Sequence, residues 1–345
     1  MSRALLSVYN KTDLLKLAST LVDLGWELVA SGGTERTLRE ASVPVTAVED
    51  LTGLPEMLGG RVKTLHPAIH AGILVRDTAA DKEELASFYY PLFDMVVCNL
   101  YPFQDTVAQK SVTLQDAVEQ IDIGGVALLR AAAKNFLRVA AVCDPADYHK
   151  VIAEVKAGGQ VDLPTRRNLA VKAFAHTRDY DTAIHAFLSR EIAPAPTSDD
   201  LPEHLSLGFH RIETLRYGEN PHQMAAFYSR ESATGPLGGE VLGGKVLSYN
   251  NILDLDAAWR TVSMFTTPTV VIVKHLTPIG IASADSIAEA YPQAFAADEV
   301  SAYGGVIAVN RMVDDTFVAK LGSLFVEAIA APNFSPTAQS TLNNN

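Results

Sequence analysis

The chain predicts a two-domain α/β fold, and three observations carry that reading. Short apolar runs of strand character alternate with segments of helical periodicity from Ala4 onward, which implies right-handed crossovers and a mostly parallel sheet. At 345 residues the chain is too long for one ordinary core. A stretch rich in proline and polar residues, Ala193–Pro202, follows a long helical segment, Arg166–Arg190, and marks a domain boundary. The expected division is 1–192, a linker at 193–204, and 205–345.

Ala4–Val8 reads as the first strand, followed by Asn10-Lys11-Thr12-Asp13 and by Leu14, Leu15, Ala18, Leu21, Val22 and Leu24 at helical spacing. Glu27–Ala30 repeats the pattern, running into Ser31-Gly32-Gly33-Thr34 and a helix over Glu35–Ala41. Further buried strands fall at Met95–Leu100 and Val139–Cys143, with helices at Asp81–Tyr89, Leu114–Gln120, Ala127–Asn135 and Ala146–Lys156. In a parallel sheet ligands gather at the carboxyl ends of strands; Ser7, Lys11, Ser31–Thr34 and Asn99–Tyr101 all fall there. In the second region Thr269–Val273 is an apolar strand ending in Lys274-His275, and Ser301–Gly305 is a turn into the strand Val306–Val309. The polar tail Ser340–Asn345 is expected to fray.

Nearly half the residues are hydrophobic (48%) and 20% are charged, a composition that folds rather than stays disordered. The net charge of -12 argues against a nucleic-acid or membrane surface, so any phosphate must be held by a local pocket. Cys98 and Cys143, the two cysteines, each sit in an apolar run and read as small core residues. No signal peptide opens the chain and no apolar stretch reaches membrane-spanning length, so the cytoplasm is the expected location.

Several apparent motifs fail. Gly239–Val246 has most of a P-loop's spacing, yet Val246 stands where Mg²⁺ needs a hydroxyl and a turn follows. His66 and His70 are four apart like helical metal ligands, but Pro67 fits only a first helical turn and no catalytic Glu accompanies them; no metal site is expected. No Gly-x-Gly-x-x-Gly follows the first strand, so a dinucleotide has no support. Other segments read better. Gly59-Gly60-Arg61-Val62-Lys63-Thr64 places cations beside glycine amides, and Ile121-Asp122-Ile123-Gly124-Gly125 places a carboxylate beside them, equipment for holding a phosphorylated substrate and moving protons. Ser31–Thr34 fits an anion cradle at a helix N-terminus and an ordinary capped turn equally well. Arg130 and Lys134 share one helical face; spacing alone favours a solvated basic face, while the Ala-rich turns leave Lys134 free to point toward Asp122.

Gly59–Ala71, Asn99–Phe103, Ile121–Gly125, Arg130–Asn135, Leu215–Gln223, Leu247–Asn251, Lys274-His275 and Ser301–Gly305 resemble, in order, the bifunctional AICAR transformylase/IMP cyclohydrolases of purine biosynthesis. The resemblance spans essentially the whole chain. It implies a methylglyoxal-synthase-like cyclohydrolase domain and then part of a cytidine-deaminase-like transformylase domain without the deaminase zinc. Family members run well past Asn345, and the remainder normally completes the transformylase site and much of a homodimer. The expectation is therefore a chain that cyclises FAICAR but does not formylate AICAR at a significant rate. Two smaller departures are Leu276-Thr277-Pro278-Ile279 after Lys274-His275 and Tyr303 in place of the more frequent Phe.

By that resemblance the substrates are FAICAR, IMP and AICAR. Cyclisation needs no cofactor, and 10-formyltetrahydrofolate is cosubstrate for formyl transfer. Lys63, helped by the Tyr101 hydroxyl, would stabilise the oxyanion; Asp122 would accept the amide proton and Lys134 would serve the departing hydroxyl. Ser7, Lys11, Ser31, Gly32, Gly33, Thr34, Arg61, Thr64, Asn99, Gly124 and Gly125 would position phosphate, ribose and base. In the second region Arg216, Tyr217 and Gly304 would contact substrate, Asn251 would orient it, and Lys274 with His275 would transfer protons. Two other classes stay open: a methylglyoxal-synthase-type phosphate lyase, and a non-catalytic purine-nucleotide-binding subunit.

Overall fold

Strand Arg3–Val8 (β1) opens a run of elements that the computed structural model describes over residues 2–109, 111–192, 207–229 and 235–343. The chain divides into two units, Met1–Ser206 and Leu207–Asn345, and the expected linker at 193–204 lies outside the described residues.

The first unit continues as α1 (Leu14–Asp23), β2 (Glu27–Ala30), α2 (Gly32–Glu40), β3 (Thr46–Ala47), α3 (Val48–Thr52), α4 (Pro67–Leu74), α5 (Ala79–Ser87) and β4 (Met95–Asn99). It closes with α6 (Phe103–Val107), α7 (Leu114–Glu119), α8 (Gly124–Lys134), β5 (Ala140–Val142), α9 (Tyr148–Gly158) and α10 (Leu163–Ile192). All neighbours in its sheet are parallel, in the order β3-β2-β1-β4-β5. Alternation along β1 explains the two layers of helices. Ala4, Leu6 and Val8 pack with α1 and α9, whereas Leu5 faces the opposite cluster with Ile69 and Ile73 of α4, Leu128 and Leu129 of α8 and Ala173 of α10. The chain winds outward from β1 to β3 and returns to β4 beside β1, so the switch point lies between the carboxyl ends of β1 and β4.

Two helices start earlier than the periodicity indicated. Helix α2 begins at Gly32 rather than Glu35, because Gly32 enters the first turn at a φ of 51° that a side chain would disfavour. Helix α8 begins at Gly124 rather than Ala127, its Gly125 amide held 2.7 Å from Asp122 Oδ1. Cys98 and Cys143 are both buried.

The second unit contains β6 (His210–Thr214), β7 (Ala226–Ser229), α11 (Tyr249–Val262), β8 (Thr269–Lys274), β9 (Thr277–Ser283), α12 (Ile287–Phe295) and α13 (Glu299–Ala302). Then follow β10 (Gly305–Val309), α14 (Asp315–Leu321), β11 (Val326–Ala330) and α15 (Pro336–Asn343), so the tail expected to fray is helical to Asn343. Val270, Ile272, Ile307 and Val309 face α12 and α14, and Val271, Val273, Val306 and Ala308 face α11, which makes three layers. Unlike the parallel sheet of the first unit, this sheet is mixed: the order is β11-β10-β8-β9 with β8 antiparallel to both its neighbours. β8 and β9 are joined by a two-residue hairpin in which His275 and Leu276 take φ of 53° and 64°. Asp254 offsets that strain by accepting both amides, His275 N at 3.2 Å and Leu276 N at 2.7 Å.

Gly280 of β9 passes so close to α12 that a Cβ would lie 2.0 Å from the Ala294 carbonyl oxygen and 2.9 Å from its carbon. Backbone cannot yield as a rotamer does, so Gly280→Ala is expected to destabilise the fold by about 1–3 kcal/mol. A lowered urea midpoint in circular dichroism checks this, and an unchanged midpoint contradicts it.

Candidate functional site

The carboxyl ends of β1, β2 and β4 open into a cavity of about 630 Å³ in the first unit. It is lined by Ser7, Lys11, Ser31–Thr34, Arg61, Lys63, Thr64, Asn99, Tyr101, Asp122, Gly124 and Gly125. Segments far apart in sequence therefore meet at the switch point.

One wall is positive. Ser31 makes no side-chain capping bond to α2, which leaves first-turn amides of that helix without a capping side chain. Two ammonium groups approach the same turn: a Cβ on Gly32 would lie 3.0 Å from Lys63 Nζ, and one on Gly33 would lie 3.9 Å from Lys11 Nζ. Lys11 Nζ also donates to the carbonyls of Val8 (3.4 Å) and Tyr9 (3.5 Å). The Ser7 and Ser31 hydroxyls stand 3.4 Å apart. Together these groups form a positively charged cradle at the start of α2, of the kind that suits an anion.

The same cavity is lined by a buried carboxylate, Asp122. Asp122 Oδ1 accepts from Gly125 N at 2.7 Å, and the Tyr101 amide bonds the same carboxylate. Burial nevertheless dominates and raises the Asp122 carboxyl above its ordinary range. Tyr180 of α10 clamps the loop from behind: its hydroxyl accepts Asp122 N–H at 2.8 Å and donates to Gln120 O at 2.7 Å. Burial pushes that hydroxyl up to about 12, so it stays protonated and keeps donating. The Tyr101 ring stands edge-on to Tyr9, centroids 5.8 Å apart. Thr64 is buried, and its hydroxyl oxygen would lie 3.0 Å from a Cβ on Gly124.

Three expectations change. Lys134 does not meet Asp122: it is exposed at the last residue of the 11-residue helix α8, whereas Asp122 precedes its first. At roughly 1.5 Å of rise per residue, about 15 Å of helix separates them, beyond the reach of a lysine. On the same helix Arg130 stacks on Phe174 at 5.5 Å. Asn99 lines the cavity but spends its side chain bracing the β1 loop, accepting from Tyr9 N and Asn10 N at 2.8 Å each and donating to Asn10 O at 3.1 Å. Thr34 likewise bonds Val8 N at 2.9 Å and Val8 O at 3.1 Å. Both are braces for the residues that face the cavity.

Sequence reasoning missed Glu56, Glu119 and Tyr180. Glu56 pairs with Lys63 at 2.8 Å, and Glu119, itself in the cavity wall, pairs with Arg61. No local signal announces Glu119 or Tyr180, since the partners of Arg61 and Asp122 each lie 58 residues away; Glu56, by contrast, shortly precedes Lys63 in the chain. His66 and His70 do other work. His66 Nδ1 caps α4 by accepting from Ala68 N at 3.1 Å, and His70 Nε2 is buried without a partner. Burial depresses the His70 pKa.

In the second unit Lys274 Nζ donates to Tyr303 O at 2.6 Å, and the Gly304 amide bonds Phe325 O at 2.8 Å, which brings the β8 end and the Ser301–Gly305 turn together. His275 is exposed at the hairpin tip. Arg216 lies over the Tyr217 ring at 4.9 Å and 3.8 Å from Glu327. Asn251 completes the capping box of α11 with Ser248, the N-cap: its Oδ1 accepts from Ser248 N at 3.0 Å and Ser248 Oγ at 2.9 Å, so that oxygen is not free to orient a substrate.

The family profile of the AICARFT/IMPCHase bienzyme matches residues 132–345, and that of the MGS-like domain matches residues 13–127. The latter range contains every cavity residue from Ser31 to Gly125. The bifunctional purine biosynthesis protein PurH of Sorangium cellulosum (strain So ce56) is 50% identical over 348 residues, covering 99% of this chain and 66% of the relative. PurH of Anoxybacillus flavithermus (strain DSM 21510 / WK1) is 47% identical over 339 residues, covering 97% of this chain and 65% of the relative. The chain thus spans just under two thirds of the length of these relatives. A solved structure, the crystal structure of ForH, aligns with a TM-score of 0.53 at 36% identity, over 56% of this chain and 100% of its own. With a family profile covering more than half of the chain and relatives near 50% identity along almost all of it, this chain belongs to the AICARFT/IMPCHase bienzyme family.

Proposed function

We propose that this chain cyclises FAICAR to IMP in the cavity of its first unit, and that its second unit carries part of an AICAR formyltransferase site with 10-formyltetrahydrofolate as donor. The observation that supports cyclisation most is that one cavity is lined both by Lys63 and Lys11, at the N-terminus of α2, and by the buried Asp122 carboxylate. The carboxamide nitrogen of the substrate attacks its own formyl carbon, a carbon–nitrogen bond forms, and the formyl oxygen becomes an oxyanion. Lys63 and the Tyr101 hydroxyl stabilise that charge. Asp122 takes a proton from the attacking nitrogen and passes it to the oxyanion, giving a hydroxyl; the same carboxyl then moves the proton of the former formamide nitrogen to that hydroxyl, which leaves as water as the ring carbon–nitrogen double bond forms. The protomer's own Lys134 is too far from Asp122 to do this, so one carboxyl serves both steps. Because the reaction is intramolecular and exchanges no electrons, holding the near-attack rotamer supplies much of the acceleration.

On this reading residues 1–192 are the cyclohydrolase domain and 205–345 belong to the transformylase domain, where the Lys274 ammonium bonds the Ser301–Gly305 turn through Tyr303 O. A cytoplasmic homodimer accompanies the assignment; among the described residues no helix is long and apolar enough to cross a membrane. The test is incubation of purified chain with FAICAR while IMP formation is followed by absorbance. IMP at enzymatic rates is the expected result. The MGS-like match favours one rival, a phosphate lyase. Release of inorganic phosphate from dihydroxyacetone phosphate, with FAICAR left unchanged, would select that rival instead.

A further inference from the structure

Lys63 reaches the positive turn of α2 against its own electrostatics. The Lys11 ammonium and the N-terminal end of a nine-residue helix repel a second ammonium at that place. What offsets the repulsion is Glu56, whose Oε2 lies 2.8 Å from Lys63 Nζ, both side chains being about two-thirds covered (28% exposed for Lys63, 33% for Glu56). Room for the pair comes from glycine. A Cβ on Gly60 would lie 2.6 Å from Glu56 Oε1 and 2.9 Å from Lys63 Cε, and one on Gly32 would lie 3.9 Å from Glu56 Oε2. The carboxylate is therefore threaded between two glycines to meet the ammonium, a placement that a solvated surface acid does not need.

We infer that Glu56 is the positioning residue for Lys63: it holds the ammonium at the mouth of the α2 cradle, ready for the substrate's negative charge. The inference rests on the cyclohydrolase reading for its kinetic form, but the geometry that carries it does not depend on the reaction. Alignment of a charged donor governs its catalytic value, because small misplacements of a reacting group cost large factors in rate. Losing the carboxylate lets Lys63 swing away from Lys11 into solvent.

A double-mutant cycle of Glu56→Gln and Lys63→Ala tests this. Glu56→Gln is expected to lower kcat/KM by roughly ten- to a hundredfold, and to have no further effect in the Lys63→Ala background, since the group it positions is already gone. Glu56→Asp, which keeps the charge, should recover part of the loss, while thermal melting of all variants stays close to wild type. If Glu56 instead merely repels the substrate phosphate, Glu56→Gln will tighten substrate binding and raise kcat/KM, which overturns the inference. Equal losses in both backgrounds, the mark of a loop-folding role, overturn it too. Should the wild-type chain fail to turn over FAICAR, the function reading falls and the cycle is read in the dissociation constant of IMP or inorganic phosphate. Weakening that vanishes without Lys63 still supports the positioning role, and additive weakening rejects it.

Discussion

Lys63→Ala is expected to lower FAICAR cyclisation by at least about a hundredfold to a thousandfold, the usual consequence of removing a donor aimed at a developing oxyanion. The fold should survive. Lys63 sits outside any helix or strand and its ion pair is partly solvated, so the stability change should stay within roughly 1 kcal/mol. Steady-state turnover and a thermal melt on the same preparation separate the two effects. Near-normal turnover would remove Lys63 from the chemistry and leave Tyr101 as the oxyanion donor.

Asp122→Asn is expected to cost roughly a hundred- to ten-thousandfold in kcat, because an amide cannot carry the proton between nitrogen and hydroxyl. The wild-type pH profile should report the same group. Burial raises the Asp122 pKa in the folded protein, against the opposing amides of Gly125 and Tyr101, so the base is lost on acidification at a pH above the ordinary carboxylate range. The stability linkage runs the other way from that of a salt-bridged acid. A folded-state pKa above the unfolded value means that the native protein holds this proton more tightly, so the contribution is fully present below the unfolded pKa and is lost as pH rises through the folded one. In its ionised form the carboxylate is therefore a net cost to the fold, and the neutral Asp122→Asn variant should melt no lower than a few degrees below wild type while being nearly inactive. A kcat profile without an acidic limb, or an active Asp122→Asn variant, would take Asp122 out of the proton path.

Much of the first unit was legible locally. The strands Arg3–Val8, Glu27–Ala30 and Met95–Asn99 announce themselves as short apolar runs, and turn chemistry at their carboxyl ends marks Ser7, Ser31–Gly33 and Tyr101 as cavity residues before any contact is known. The second unit read less well. Strand β9 and the hairpin that sets it antiparallel depend on positive φ at His275 and Leu276, residues that carry no turn signature and take that conformation because Asp254 of α11 holds their amides. Asn251 misled for a related reason: the same amide that suits a substrate contact also completes a capping box with Ser248.

The α/β class and the residue types that cluster at strand ends were readable from the chain, because hydrophobic periodicity and turn propensity act over a few residues. Tertiary structure alone decided which charges are compensated and which groups face one another. Glu56 neutralising Lys63, Glu119 meeting Arg61, Tyr180 clamping the Asp122 loop, and Lys134 being carried away from Asp122 by the rise of α8 are matters of distance in space. Coulomb interactions and hydrogen bonds fall off over a few ångströms, and spacing along the chain does not encode those distances until the sheet has closed around its switch point.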